Sequence, residues 1–500
     1  VATKNGWPVD KPPGGAVIWS DQIGAALFPA GRRLIAFLPR SQTMRRRTHP
    51  NRRQMLGTSL GFLGLSLPDC LGLRGTARAA APAAGFGRAR SCIVFFAWGG
   101  MSQLETWDPK PNAPARVRGS YGTIATATPG VRVGEYMTLL ARQTERLAIV
   151  RSVCHKEAGH RNAAYWNLTG HAPHAPGDDS SLPPSRKDWP CIGAAVARFR
   201  PSRPGFPGAV TLPCPMADRG LLNGQDAGFL GMHRDPLMLH PGAGSDYQGV
   251  SPNAGAAELR LPADVSGQRM CSRLELLGRV GTPGSTATPA FEHYRQMASD
   301  LLVSPQVSAA FDLNREPNRL RAAYGDHVCG QSALLARRLT EAGVPIVTVC
   351  ASAGDLNGGQ GDHWDTHGDN FRRIKDRLLP PLERASSALL DDLAARGRLE
   401  ETLVVWLTEF GRTPTLNGGS GRDHFPNCYS VAFAGGGIRG GQVHGRSDAI
   451  ASTPAELPCG PQDLHATILH ALGIPLDAHV EDNLGRPMAL TNGQPLPLFG

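Results

Sequence analysis

Ser91-Cys92-Ile93-Val94-Phe95-Phe96-Ala97-Trp98, followed at once by Gly99-Gly100, is the stretch on which the fold turns. It is apolar or small throughout, with no polar alternation. That is the pattern of a strand buried on both faces, as in a parallel sheet, and the glycine pair marks a tight loop at its carboxyl end. Working outward, Leu147-Ala148-Ile149-Val150, Val344-Pro345-Ile346-Val347-Thr348-Val349 and Thr402-Leu403-Val404-Val405-Trp406-Leu407 repeat the pattern. Helical stretches lie between them. The clearest run from Gly330 to Ala342 and from Asn370 to Arg396, the second with an apolar stripe of Leu378, Leu379, Leu382, Leu389, Leu390 and Leu393. Strand and helix alternate in the βαβ manner, which predicts an α/β domain with a mostly parallel sheet. The Pro, Ser and Asp-rich segment His171–Asp188 and the Gly, Pro and Ala-rich segment Pro241–Ala256 read as long loop insertions.

Charge is distributed unevenly. The chain has 52 Lys and Arg against 42 Asp and Glu, but 14 and 3 of these fall before Ser91, leaving 38 against 39 in the rest. The net charge of +10 therefore belongs to the leading segment. No later basic run interleaves with aromatic residues, so a nucleic-acid partner is not expected. Met44 opens a basic stretch with Arg52-Arg53-Gln54-Met55-Leu56. An apolar run from Gly57 to Leu73 follows, broken only by Pro68-Asp69-Cys70, and then the small-residue site Ala77-Arg78-Ala79. This order predicts a cleaved twin-arginine export signal over 44–80, with cut sites near Ala79 or Ala80. Residues 1–43, which precede a complete signal, read as an over-extended start. Residues 91–500 then form one domain with long loop insertions. A lipid anchor at Cys70 is a secondary alternative.

No other segment reaches the ~18–20 apolar residues of a membrane span, so no integral membrane segment is expected in the mature chain. Export predicts a periplasmic or secreted location, with the twin-arginine translocase as partner. The nine cysteines after the leader are scattered without a CxxC pair. That argues against a zinc ribbon or a thioredoxin-type site, and Cys92 and Cys350 read as small core residues.

In open parallel sheets, ligands bind beyond the carboxyl ends of the strands. After the strand near Val349 come Asp362, His363, Asp365, His367 and Asp369. After Leu407 come Thr408-Glu409-Phe410-Gly411-Arg412 and then Arg422-Asp423-His424. After Val150 come His155, Glu157 and His160, and after Gly100 come Ser102, Glu105 and Asp108. Imidazole and carboxylate together suit zinc, manganese or iron. Each group also has a plainer reading: a solvated loop for Asp365 and His367, and an Asx-turn for Asp423 and His424. Glu409 reads equally as a salt bridge to Arg412, His155 and His160 as exposed loop histidines, and Ser102 as an N-cap.

Taken together, Trp98-Gly99-Gly100-Met101-Ser102-Gln103-Leu104-Glu105-Thr106-Trp107-Asp108-Pro109-Lys110, Trp364-Asp365-Thr366-His367, Thr408-Glu409-Phe410-Gly411-Arg412-Thr413-Pro414 and Gly421-Arg422-Asp423-His424 resemble an exported bacterial family, domain of unknown function 1501. That family is similar in fold to the alkaline phosphatase and sulfatase superfamily. The resemblance implies a three-layer α/β sandwich, alkaline-phosphatase-like, and an ester hydrolase using bound metal. Asp365, His367 and His424 match one metal site of the superfamily. The other is altered: Gly99-Gly100 stands where the first strand should end in an acid, and Glu409-Phe410 replaces an Asp-His pair. The place of the sulfatase nucleophile, counted back from Leu168-Thr169-Gly170, falls on His160. His465 and His470 near the C-terminus read as structural.

The leading expectation is a metal-dependent hydrolase of a sulfate or phosphate ester, small-molecule or polysaccharide, with zinc or manganese held by Asp365, His367 and His424. His160, Glu409, Arg412 and Asp423 are the candidate acid, base and charge-stabilising groups. Ser102, His155 and Arg422 are candidate substrate contacts. The alternative is a non-catalytic binding or assembly protein on the same fold, with Glu409 paired to Arg412.

Overall fold

Strand β1 (Ser91–Phe96) has every residue buried, as a strand without polar alternation requires. The structure is a computed structural model and describes residues 83–174, 184–217, 220–239, 261–280, 289–351 and 363–500. The expected leader, the segment before it, part of the 171–188 insertion and the whole 241–256 insertion lie outside the described residues, as do Gly361 and Asp362. The other strands of the main sheet are β2 (Leu147–Val153), β3 (Val210–Leu212), β4 (Leu237–Met238), β5 (Ile346–Cys350), β6 (Thr402–Leu407), β7 (Tyr429–Ala434) and β8 (Gln442–His444).

Their order is β8-β2-β7-β6-β1-β5-β3-β4. β1 sits between β5 and β6, parallel to both, in register Val94↔Thr348 and Val94↔Val405. Only β7 runs against its neighbours, β2 and β6. This is the mostly parallel sheet expected from the apolar runs.

Side chains of β1 alternate between two cores. Ile93 and Phe95 pack with α3 (Val328–Ala342) and α4 (Leu379–Ala395). Cys92, Val94 and Phe96 pack with α1 (His160–Thr169), α2 (Ile192–Phe199) and α5 (Pro461–Ala471) on the other face. Helices therefore cover both faces, giving three layers. Cys92 and Cys350 are fully buried core residues as expected, and no disulfide forms among the described cysteines. No helix among the described residues is long and apolar enough to cross a membrane.

The leucine stripe predicted for Asn370–Arg396 is buried, but the helix is not uniform. A wide π turn at Ile374–Leu378 separates Asn370–Arg373 from α4. Pro380 and Pro381 follow that turn, where each removes a backbone donor from a regular ladder. Glu383 on α4 is 3 % exposed and accepts from the backbone N–H of Leu140 at 2.9 Å.

Burial pushes the Glu383 carboxyl up to about 7, against the lowering effect of the Leu139 and Leu140 amides. The folded chain thus holds this proton more tightly than the unfolded chain. The group's contribution favours folding below about pH 4.5 and is lost as the pH rises through about 7. Glu383→Gln removes that dependence and keeps an oxygen acceptor for the Leu140 amide. Relative to wild type, the variant should gain about 2–3 kcal/mol of stability between pH 4.5 and pH 8. Urea unfolding at the two pH values measures the difference, and an unchanged gap would contradict the assignment.

Candidate metal centre

Four strand exits supply the centre. At the end of β1 the chain turns through Gly99 (φ +109°) and Gly100 (φ +83°), a backbone that L side chains rarely adopt. A Cβ on Gly99 would lie 2.2 Å from the amide nitrogen of Asp365, so the loop carrying Asp365 fits only against a glycine. β6 delivers Thr408 and Glu409. Beyond them Gly411–Arg412 pairs antiparallel with His424–Phe425, which sets Arg412 opposite His424. The segment after β5 brings in His363, Asp365 and His367. α1, reached from β2, begins on His160 itself.

Three imidazoles converge on one carboxylate. His367 Nε2 and His424 Nε2 each lie 3.2 Å from Asp365 Oδ1 and 2.9 Å from each other, and His160 Nε2 is 3.5 Å from Asp365 Oδ2. The opposite ring nitrogens are all held by oxygen. His160 Nδ1 meets Glu409 Oε1 at 2.9 Å, His367 Nδ1 meets Asp423 Oδ1 at 2.7 Å, and His424 Nδ1 meets the Ala158 carbonyl at 2.7 Å.

A carbonyl or carboxylate oxygen only accepts, so these partners assign a proton to each Nδ1, and each Nε2 faces Asp365 with a proton of its own or, around a bound cation, with its lone pair. Two imidazole nitrogens 2.9 Å apart beside a carboxylate need a proton or a metal cation between them. Donors about 2.0–2.2 Å from a tetrahedral ion are ~3.3–3.6 Å from one another, close to the spacing here. His160, Asp365 and His424 also offer donor atoms within 4.8 Å of one another, and His160 Nε2 is buried with no hydrogen-bond partner. The residues present fit a divalent ion, each imidazole oriented from behind by an oxygen as metal-bound histidines commonly are.

The charges point the same way. Burial alone would raise the Asp365 carboxyl, but His160, His424 and the Arg412 guanidinium hold it far below the usual carboxylate range. Burial opposes a charge on His160, yet Asp365 and Glu409 lift it to about 9, so this buried corner favours positive charge. Asp423, at the exposed edge, is held low by His367 and Asn417. Arg412 is fully buried. It gives Nη2 to Asp365 Oδ1 at 2.5 Å and to the Gly99 carbonyl, and Nε to the Gly100 carbonyl at 3.0 Å. Trp98 stacks on His160, ring centroids 5.0 Å apart, and closes the inner side.

The family model described as protein of unknown function (DUF1501) matches residues 89–497. The chain belongs to that family. Among curated protein sequences none matches this DUF1501 protein. Similar solved structures include the PsFucS1 sulfatase from Pseudoalteromonas sp. (13 % identity, 78 % of this chain and 68 % of that one, TM-score 0.35). The phosphonate monoester hydrolase SpPMH from Silicibacter pomeroyi has 14 % identity over 82 % and 76 % of the two chains, with a TM-score of 0.33. The lipoteichoic acid synthase LtaP from Listeria monocytogenes has 9 % identity over 86 % and 81 %, with a TM-score of 0.31. These are distant likenesses, and the three-layer sandwich rests on the sheet and its two helical layers.

Of the residues singled out in the sequence of this DUF1501 protein, Asp365, His367, His424, His160, Glu409, Arg412 and Asp423 are brought together. Three others are not presented to a ligand. Ser102 is buried and gives its hydroxyl to Glu105. Arg422 and Glu105 form an ion pair at 2.7 Å with both side chains wholly buried. His155 is buried, contacts the Glu409 carbonyl at 2.6 Å and is pushed down to about 4 by that burial.

The pairing of Glu409 with Arg412 is also replaced. Glu409 Oε1 accepts from the Gly99 amide at 2.7 Å, while Arg412 turns to Asp365. Sequence reasoning missed Trp98, the Ala158 carbonyl and Asn417. It read His160 as a metal or substrate contact or an acid, and the geometry sets its Nε2 3.5 Å from Asp365 Oδ2, as a candidate ligand. His465 and His470 are buried against backbone carbonyls of Asn167 and Ala84, in keeping with structural roles.

Gly99→Ala should cost about 2–4 kcal/mol, through backbone strain and the clash with Trp364–Asp365. Gly130, at φ +79° with nothing near its would-be Cβ, is the control. Gly130→Ala should cost only the strain. Equal losses in denaturant melts would remove the close approach from the account.

Proposed function

We propose that this protein is an exported metal-dependent hydrolase of sulfate or phosphate esters. It works with one divalent ion, zinc or manganese, held by Asp365, His367 and His424 with His160 beside them. The observation that carries this reading is the convergence of three Nε2 atoms on Asp365, each ring anchored through Nδ1. A bound ion would polarise the ester oxygen and lower the pKa of water toward neutrality.

The chain's own residues do the rest. Arg412 fixes Asp365, Glu409 fixes the His160 ring, and Asp423 fixes the His367 ring. Trp98 and Phe410, both buried, keep water from the inner side. Substrate, a small-molecule or polysaccharide ester, approaches from the edge where about half of the His367 and Asp423 side chains is exposed. Ser102 is turned away, so water is the nucleophile. Asp423, ionised and at the open edge, is placed to accept its proton.

Protein purified without chelator should carry one equivalent of metal by plasma mass spectrometry. Asp365→Ala and His424→Ala should lose it, while Glu409→Gln and Asp423→Ala bind ~10–100-fold more weakly. A metal-free wild type, or metal retained in both ligand variants, defeats the proposal. Aryl sulfate, phosphate monoester and diester substrates then test turnover.

The second reading, a binding or assembly protein, is favoured by one observation: Arg412 and Arg422 spend their guanidiniums on internal carboxylates and carbonyls. Stoichiometric metal with no turnover of any ester would select it.

The proposal includes export through the twin-arginine translocase to the periplasm or beyond. Intact mass of the protein recovered from the producing bacterium should place the mature N-terminus near Ala79 or Ala80. A chain retaining Arg52-Arg53, or a lipid on Cys70, would contradict that route.

A further inference from the structure

We propose that a cleft at the amino ends of the central strands, the end of the sheet opposite the candidate centre, binds a sulfate or phosphate group. Arg90, Arg200, Arg203 and Arg398 line a cavity of about 270 Å³ there, beside Ser91 at the start of β1 and Pro345 just ahead of β5. A six-residue strand spans ~20 Å, so this cleft is separate from the Asp365 cluster.

Four guanidiniums in one cleft need countercharge, and the chain supplies too little. Glu401 serves two of them, Arg90 at 3.2 Å and Arg398 at 3.5 Å. Glu341, the one acid in the lining, is already matched by Arg337 at 2.7 Å and Arg396 at 3.5 Å. Arg200 gives Nη1 to the Leu472 carbonyl at 2.9 Å, at the end of α5. Arg203 lays its stem over Gly343, and its guanidinium makes no ion pair or hydrogen bond among the described residues.

The carboxyl ends of α2, α3 and α5 reach this end of the sheet, and each helix end carries about half a negative charge. Counting these ends and Glu401 still leaves a surplus of between about one and two positive charges. A tetrahedral dianion supplies that charge and accepts several guanidinium forks at once. The carboxylate-rich metal centre offers no such surplus of free cations, so the inference does not depend on the hydrolase reading.

The test is calorimetric titration of the full chain with sodium sulfate and with sodium phosphate, at ionic strength held constant with sodium chloride. One saturable site is expected in the wild type and equally in Asp365→Ala. Arg203→Ala breaks no native bond, so it should fold, and it should bind at least about tenfold more weakly. Three results would overturn the proposal. The first is no saturable binding; the second is a non-saturating thermal stabilisation equal in wild type and Arg203→Ala, which is general salt exclusion. The third is binding lost in Asp365→Ala but kept in Arg203→Ala, which would put the anion at the metal centre.

Discussion

A carboxylate with no exposure, at the end of a central strand, cannot stand without partners, and Glu409 is in that position. Its Oε1 takes the Gly99 amide and the His160 ring nitrogen together. Its backbone carbonyl takes Asn167 and His155. One residue thereby joins the exits of β1 and β6 to the start of α1. The Gly99 turn presents its amide inward at a positive φ. The absent side chain at that turn is the space into which the backbone of Trp364 and Asp365 fits. Asp365 thus packs against the same turn that satisfies Glu409.

The arginines extend the same logic. Arg412 and Arg422 are among the largest fully buried side chains, and each bridges segments far apart in sequence. Arg412 ties the Gly99–Gly100 carbonyls to Asp365 and to the Arg422 carbonyl. Arg422 ties Glu105 to the carbonyls of Thr413, Pro414 and Val117. Removing either partner of such a pair leaves a buried charge uncompensated. His424 lies two residues past Arg422 and opposite Arg412, so its ring is aimed by a rigid frame, as a site that must hold its geometry requires.

Much of the fold was legible because β1, β5 and β6 are buried on both faces, and a strand so placed advertises itself by an unbroken apolar run. β3 and the edge strand β4 have three and two residues, too few for any pattern. β7 is fully buried, but its reversed direction depends on pairing with β2, nearly 280 positions earlier, which local sequence does not encode. The site divides in the same way. Asp365, His367 and His424 lie in short clusters after strands and could be picked out. The role of His160 hangs on a contact with Glu409 across 249 positions, and the burial of His155 and Arg422 hangs on similarly distant partners, while the Ser102 hydroxyl is taken by Glu105 nearby. Residue type suggested chemistry for all of them, and only the packing separates donors facing a ligand from donors consumed by the frame.

Where the residues of the centre depart from the superfamily pattern that they resemble, they leave the proposed reading room for one ion rather than two. An acid at Gly99 would drive its Cβ into the Asp365 backbone, so that position takes no side chain without moving the loop that carries Asp365. Phe410 stands where the resemblance would place an imidazole, and it is buried against His160 and His424 with ring centroids 5.1 and 4.6 Å away. An apolar ring there removes a donor and fills the space. Glu409, the remaining carboxylate of that half, has its Oε1 committed to an amide and an imidazole, and its Oε2 is 3.3 Å from the Thr408 hydroxyl. Glu409 is thereby the support that orients His160 toward Asp365.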